Sequence, residues 1–134
     1  MIKGWIGGET FSPDETIDLG KVLAKYLEPS DIICLDGGLA SGKTTFVKGI
    51  LIGLGYKSDV TSPTFTLINE YEAKYNVVHM DCYREDNIQR WISLGIQEYL
   101  YSEDIKIIEW PTIISELIPK NTIMISFESI SENK

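Results

Sequence analysis

The chain has 134 residues, 43% of them hydrophobic and 24% charged, and a formal net charge of −8. That length suits a single domain over residues 1–134 with a real core, and no apolar run reaches the length of a membrane span, so no membrane partner is expected. The acidity argues against a stand-alone nucleic-acid binder, which needs clustered basic residues; here they are scattered, and Arg84 and Arg90 are the only arginines.

Met1-Ile2-Lys3-Gly4-Trp5 lacks the apolar core of a signal peptide, so a cytoplasmic location is expected. Ser12-Pro13-Asp14-Glu15 then starts a helix: Ser12 as N-cap, Pro13 at the first helical position, Glu15 closing a capping box. Leu19, Val22, Leu23, Tyr26 and Leu27 supply its apolar face up to Glu28-Pro29. Ile32-Ile33-Cys34-Leu35 reads as a buried strand.

Residues 37–44, Gly-Gly-Leu-Ala-Ser-Gly-Lys-Thr, fit the P-loop pattern G-x-x-x-x-G-K-[ST]. Glycines at 37 and 42 let the backbone turn so that successive N–H groups face phosphate oxygens. Lys43 brings a compact cation to the β- and γ-phosphates, and the Thr44 hydroxyl can ligate Mg²⁺. A helix starting near Lys43, with Phe46, Val47, Ile50, Leu51 and Leu54 at helical spacing and Gly55 at its end, offers its N-terminus to the anion. Strand, loop and helix thus come in the order a phosphate cradle requires. The binding residues expected are Gly37, Gly38, Leu39, Ala40, Ser41, Gly42, Lys43, Thr44 and Thr45.

Thr61-Ser62-Pro63-Thr64 lies where P-loop proteins carry nucleotide-sensing loops, and the Thr61, Ser62 and Thr64 hydroxyls could follow the γ-phosphate; an ordinary loop leading into a strand is the other reading. Thr64–Tyr71 and Val77–Cys82 read as strands flanking a turn at 73–76, an antiparallel hairpin. A helix is expected over 85–100, with Ile88, Trp91, Ile92, Ile96 and Tyr99 as its apolar positions. A strand at 105–108, a short helix opened by Pro111 and a last strand at 122–127 follow. Strands alternating with helices around a P-loop predict a three-layer α/β domain with a mostly parallel, mixed central sheet. Cys34 and Cys82 fall in buried strands and read as small core residues.

Two strands run into acids: Val77–Met80 into Asp81, and Ile105–Ile108 into Glu109. Ligands of open α/β sheets sit beyond the carboxyl ends of strands, where a carboxylate can hold Mg²⁺ or orient an attacking water. Asp81, Glu109 and Lys43 are therefore the catalytic candidates, and Thr44, Asp81 and Glu109 the metal candidates. His79, the only histidine, reads as a hydrogen-bonded structural residue. Trp110 can flank the nucleotide or join the core, and both readings stand.

Four segments carry a resemblance to one family: Leu35–Thr45; Val60-Thr61-Ser62-Pro63-Thr64-Phe65-Thr66-Leu67; His79-Met80-Asp81-Cys82-Tyr83-Arg84; and Ile108-Glu109-Trp110-Pro111. In order and spacing, over roughly residues 12–128, the chain resembles the bacterial TsaE (YjeE) family. The resemblance implies an ATPase using ATP and Mg²⁺ within tRNA threonylcarbamoyladenosine synthesis. It also implies partners of the TsaD and TsaB type, with tRNA reached indirectly through that complex. The family's functional positions fall on Lys43, Thr44, Asp81 and Glu109. Two departures stand out. Gly38 and Ala40 replace the acid and the extra glycine usual in the family's loop, and the sequence stops at Lys134 where the resemblance implies a further strand after Phe127. Two alternatives share the cradle: a small-molecule kinase, which the paucity of arginines disfavours, and a nucleotide-sensing protein with negligible turnover. No Asn-Lys-x-Asp segment is present to read guanine.

Overall fold

The computed structural model describes residues 12–37, 42–57, 67–83, 85 and 87–127. Helix α1 spans Pro13–Ala24; Ser12, in extended conformation, accepts from the Glu15 N–H at 3.2 Å and caps it as expected. The helix ends earlier than its apolar pattern suggests. Tyr26 and Leu27 donate to the carbonyls of Leu23 and Ala24, tightening the chain into a turn.

Its buried face also differs from the one expected. Leu23 and Leu27 are buried, but Val22 and Tyr26 are exposed, and Gly20 and Ala24 take their place. The cause is the second helix, α2 (Lys43–Gly53), which crosses α1 with the two backbones in near contact. A Cβ on Gly49 would lie 2.2 Å from the Ile17 carbonyl oxygen, and one on Gly20 would lie 2.5 Å from that of Phe46. Small residues, not the largest apolar ones, select the contact row.

Strand β1 (Ile32–Asp36) precedes α2. Beyond α2, Gly55 takes a φ of +95°; its N–H donates to Ile52 and that of Tyr56 to Leu51, each at 2.9 Å. This is a Schellman closure, so the glycine ends the helix as the sequence suggests. Strands β2 (Ile68–Glu72) and β3 (Asn76–Asp81) form the expected antiparallel hairpin, and the Lys74 N–H at its turn donates to Leu54 at the end of α2. The earlier part of the expected strand, 64–66, lies outside the described residues.

The single helix expected over 85–100 is two short ones, α3 (Ile88–Ser93) and α4 (Ile96–Leu100). Gly95, at φ +83°, closes the first and caps the second, a break that a left-handed glycine makes without strain. Of the expected apolar positions, Trp91 and Ile96 are buried, and Ile92 is exposed. Strand β4 (Ile105–Glu109), a 3₁₀ helix at Pro111–Leu117 and β5 (Ile123–Ser126) complete the described chain. Residues 128–134, where the resemblance implies a further strand, fall outside it.

The sheet order is β2-β3-β4-β1-β5, parallel except for β2. Helices α1 and α2 cover one face over Ile33, Leu35, Phe46, Ile50, Val77 and Ile107. Helices α3, α4 and the 3₁₀ helix cover the other over Cys34, Val78, Met80, Trp91, Ile96 and Ile114. The mostly parallel three-layer α/β architecture expected from the sequence is present.

Candidate nucleotide-binding site

Strand alternation assembles the site. Successive side chains point to opposite faces, so His79 and Asp81 share the α2 face with Val77, and Glu109 shares it with Ile105 and Ile107. The parallel register sets Asp81 beside Glu109 and Glu109 beside Leu35. Both acids thus stand at the carboxyl edge of the sheet, next to the end of β1 that leads into the P-loop.

At the far side of that loop Gly42 is the N-cap of α2, at φ +96°. It carries no side chain to close the first helical turn, which leaves that end open to an anion. Lys43 is buried, with 5% of its surface exposed. Its Nζ donates to the Gly37 carbonyl at 2.7 Å and lies 4.1 Å from the centroid of the Trp110 ring. The ammonium is therefore held between the residue that follows β1 and the residue that follows β4, the strand carrying Glu109. Thr44 is exposed on the first turn and Thr45 is half-buried.

The acids differ in setting. Asp81 is half-buried, and one carboxylate oxygen accepts from the Tyr83 N–H at 3.0 Å. Burial holds its carboxyl above the usual range and the Glu109 charge adds to this, while the Tyr83 N–H, His79 and Lys43 oppose. Glu109 is almost fully buried and its Oε2 lies 2.5 Å from Nε2 of the wholly buried His79. The His79 Nδ1 has no hydrogen-bond partner among the described residues.

Among the described residues no group of three His, Cys, Asp or Glu is placed to hold a metal ion. A small hard cation here would take ligands from one or two carboxylates, the Thr44 hydroxyl and a bound phosphate, as Mg²⁺ commonly does. The buried loop lysine, the open helix end and the strand-end acids fit a Mg²⁺–triphosphate pair. Asp81 and Glu109 lie at this edge, Lys43 is tied to Gly37 beside it, and Thr44 and Thr45 follow Lys43 on the first turn of α2 after Gly42. Gly38, Leu39, Ala40 and Ser41 of the loop, and Thr61, Ser62 and Thr64 of the expected switch, lie outside the described residues.

Trp110 packs against the core under α3 and α4, as one of its two readings has it. It is half-buried at φ +56°, with the Lys43 ammonium over its ring and Tyr83 against it at a centroid distance of 4.7 Å. The pair borders an open groove of about 490 Å³ that also includes Ile88, Ile113 and Glu116. Cys34 and Cys82 are buried free thiols, each pushed by burial up to about 12. Both behave as core residues, as expected.

Sequence reasoning missed the His79–Glu109 contact and the Lys43–Trp110 contact. A signal existed for the first, since His79 and Asp81 are two residues apart on one strand and so share a face. The partner strand and its register are not legible locally.

A loop lysine between a central parallel strand and its following helix, with acids ending two neighbouring strands, defines a P-loop NTPase-type α/β domain. The family model described as Threonylcarbamoyl adenosine biosynthesis protein TsaE matches residues 10–134. The chain is 36% identical over 121 residues to the tRNA threonylcarbamoyladenosine biosynthesis protein TsaE of Treponema pallidum (strain Nichols), covering 90% of each. It is also 36% identical over 126 residues to the Bacillus subtilis (strain 168) protein of the same name, covering 93% of this chain and 78% of the relative. The crystal structure of Bacillus subtilis YdiB superposes with a TM-score of 0.75 at 36% identity, over 87% of this chain and 72% of that one. The chain belongs to the TsaE family.

Proposed function

We propose that this chain is the ATP-hydrolysing component of tRNA threonylcarbamoyladenosine synthesis, binding Mg²⁺–ATP at the P-loop and releasing ADP and phosphate. The observation that carries the reading is the Lys43 ammonium held against the Gly37 carbonyl and the Trp110 ring, at the edge where Asp81 and Glu109 end neighbouring strands. A cation for the phosphates and acids for metal and water are the parts phosphoryl transfer to water requires.

Lys43 exchanges the Gly37 carbonyl for β- and γ-phosphate oxygens, and the first turn of α2 adds its N–H groups. Thr44 and Asp81, the more exposed of the two acids, would hold the metal, with Glu109 beside them. Mg²⁺ bound there would supply positive charge against the phosphates as negative charge develops. Glu109 aligns a water, whose oxygen bonds to the γ-phosphorus as the bond to the β,γ-bridging oxygen breaks. The low, buried setting of Glu109 makes its orientation of that water more effective than a solvated carboxylate would be.

The net charge of −8 and the sparse arginines favour other subunits as the main holders of tRNA. Proteins of the TsaD and TsaB type are the partners this reading requires, in the cytoplasm. No helix among the described residues is long and apolar enough to cross a membrane.

The test is phosphate release from Mg²⁺–ATP by the purified chain without any acceptor, repeated with TsaB and TsaD added. Slow release in isolation, changed by the pair, is expected, with weak or no tRNA binding by the chain alone. Release that requires a small-molecule acceptor would select a kinase instead. No release under either condition overturns the reading.

A further inference from the structure

We propose that His79 is a positioning residue for Glu109: its Nε2–H holds one carboxylate oxygen so that the other is presented to the attacking water. The proposal rests on the ATPase reading above, which assigns that water to Glu109.

Three observations carry it. His79 lies wholly buried in the middle of β3, between Val78 and Met80 and beside Ile107 on β4. An aliphatic side chain would fill that place without desolvating an imidazole, so the ring has a cost that packing does not explain. Its hydrogen-bond partner is Glu109, two positions further along β4 than its register neighbour Ile107, a diagonal cross-strand reach. Finally, Nδ1 has no partner among the described residues.

The contact itself selects the tautomer: a carboxylate oxygen accepts, so the ring nitrogen facing it must donate. The proton therefore sits on Nε2, where Oε2 of Glu109 receives it. A carboxylate on a flexible stem would otherwise sample several rotamers; the imidazole, locked in the sheet, selects one. Partners of this kind, which touch the working group and not the substrate, govern orientation in many sites.

Because His79 is the only histidine, a sample labelled with ¹⁵N in histidine reports on this ring alone. The expected spectrum is a protonated Nε2 and an unprotonated Nδ1, with the Nε2 signal moving in Glu109→Gln. Kinetically, His79→Leu should keep ATP affinity within about threefold while kcat falls about tenfold or more, in the range of losses of such orienting partners. His79→Gln, which keeps an N–H near the Nε2 position, should restore a large part of that loss. A merely structural histidine would not give rescue by an amide together with a loss confined to kcat.

Wild-type turnover in His79→Leu, or equal losses in the Leu and Gln variants, overturns the proposal. So does a ring protonated on Nδ1, or an Nε2 signal indifferent to Glu109→Gln. If His79→Leu does not fold, the spectrum and His79→Gln still decide. If the wild-type chain hydrolyses nothing, the ATPase reading fails, and the spectrum separately decides whether the contact exists.

Discussion

Strand β4 buries a charge-bearing side chain at each end, and the two ends do opposite things. Lys106 is fully buried near the amino end. Its Nζ donates to the backbone carbonyls of Ser30 at 3.2 Å and Ser102 at 2.7 Å, tying the turn before β1 to the turn before β4. Glu109 is buried at the carboxyl end, and its partner is a side chain, His79, beside Asp81 and the P-loop lysine. Burial of an ionisable group therefore does not mark a site by itself. What separates the ends is the partner: fixed backbone acceptors make a clamp, whereas titratable side chains near the N-terminus of α2 make a candidate place for chemistry.

The contrast breaks most readily at the carboxyl edge. Lys43→Ala removes the ammonium from the cradle and should lower ATP affinity or turnover by more than about tenfold, since a charge-assisted contact to phosphate is worth a few kcal/mol. Nucleotide titration and phosphate release check this; unchanged values in a folded variant would sink the P-loop assignment. Asp81→Asn and Glu109→Gln keep shape and remove charge. Each should cut turnover by about tenfold or more while ATP binding changes by less, because metal and water matter most as charge develops in the transition state. Wild-type rates across a range of Mg²⁺ concentrations would exclude that residue from the site.

The amino edge should respond in stability alone. Lys106→Met fills the space but leaves two carbonyls without their donor. A loss of about 1–3 kcal/mol is expected in chemical denaturation, with turnover per folded molecule unchanged. A drop in kcat without a drop in stability would abolish the distinction between the two ends.

The smallest effect is in pH. Burial holds the Lys106 ammonium below the ordinary lysine value of 10.5. Between its folded value and 10.5 the unfolded chain binds the extra proton, so this residue makes stability rise with pH through that window. Cys34 and Cys82 act in the other direction: raised from 9.0 to about 12, they contribute stability that is lost as pH climbs through that interval. In the difference between wild type and Lys106→Met the cysteines cancel. The wild type should gain on the variant as pH rises towards 10.5, measured as the shift in denaturation midpoint; a constant difference would mean that Lys106 titrates as if exposed.

Local chemistry decided a great deal of this protein. The P-loop, the cap at Ser12, the closing glycine at 55, the hairpin, the buried cysteines and the two strand-end acids are all legible in the sequence, because each depends on neighbours a few residues away. Tertiary structure alone decided the rest. Which face of α1 is buried depends on Gly20 and Gly49 letting two backbones meet, and a pattern search for large apolar residues passes over them. The helix over 85–100 breaks because Gly95 takes a left-handed conformation that its sequence neighbours do not announce. Trp110 under the lysine, Glu109 against His79 and Lys106 across two turns are contacts between residues far apart in the chain. They exist only once strand order and register are set, and register is a property of the assembled sheet, not of any one strand.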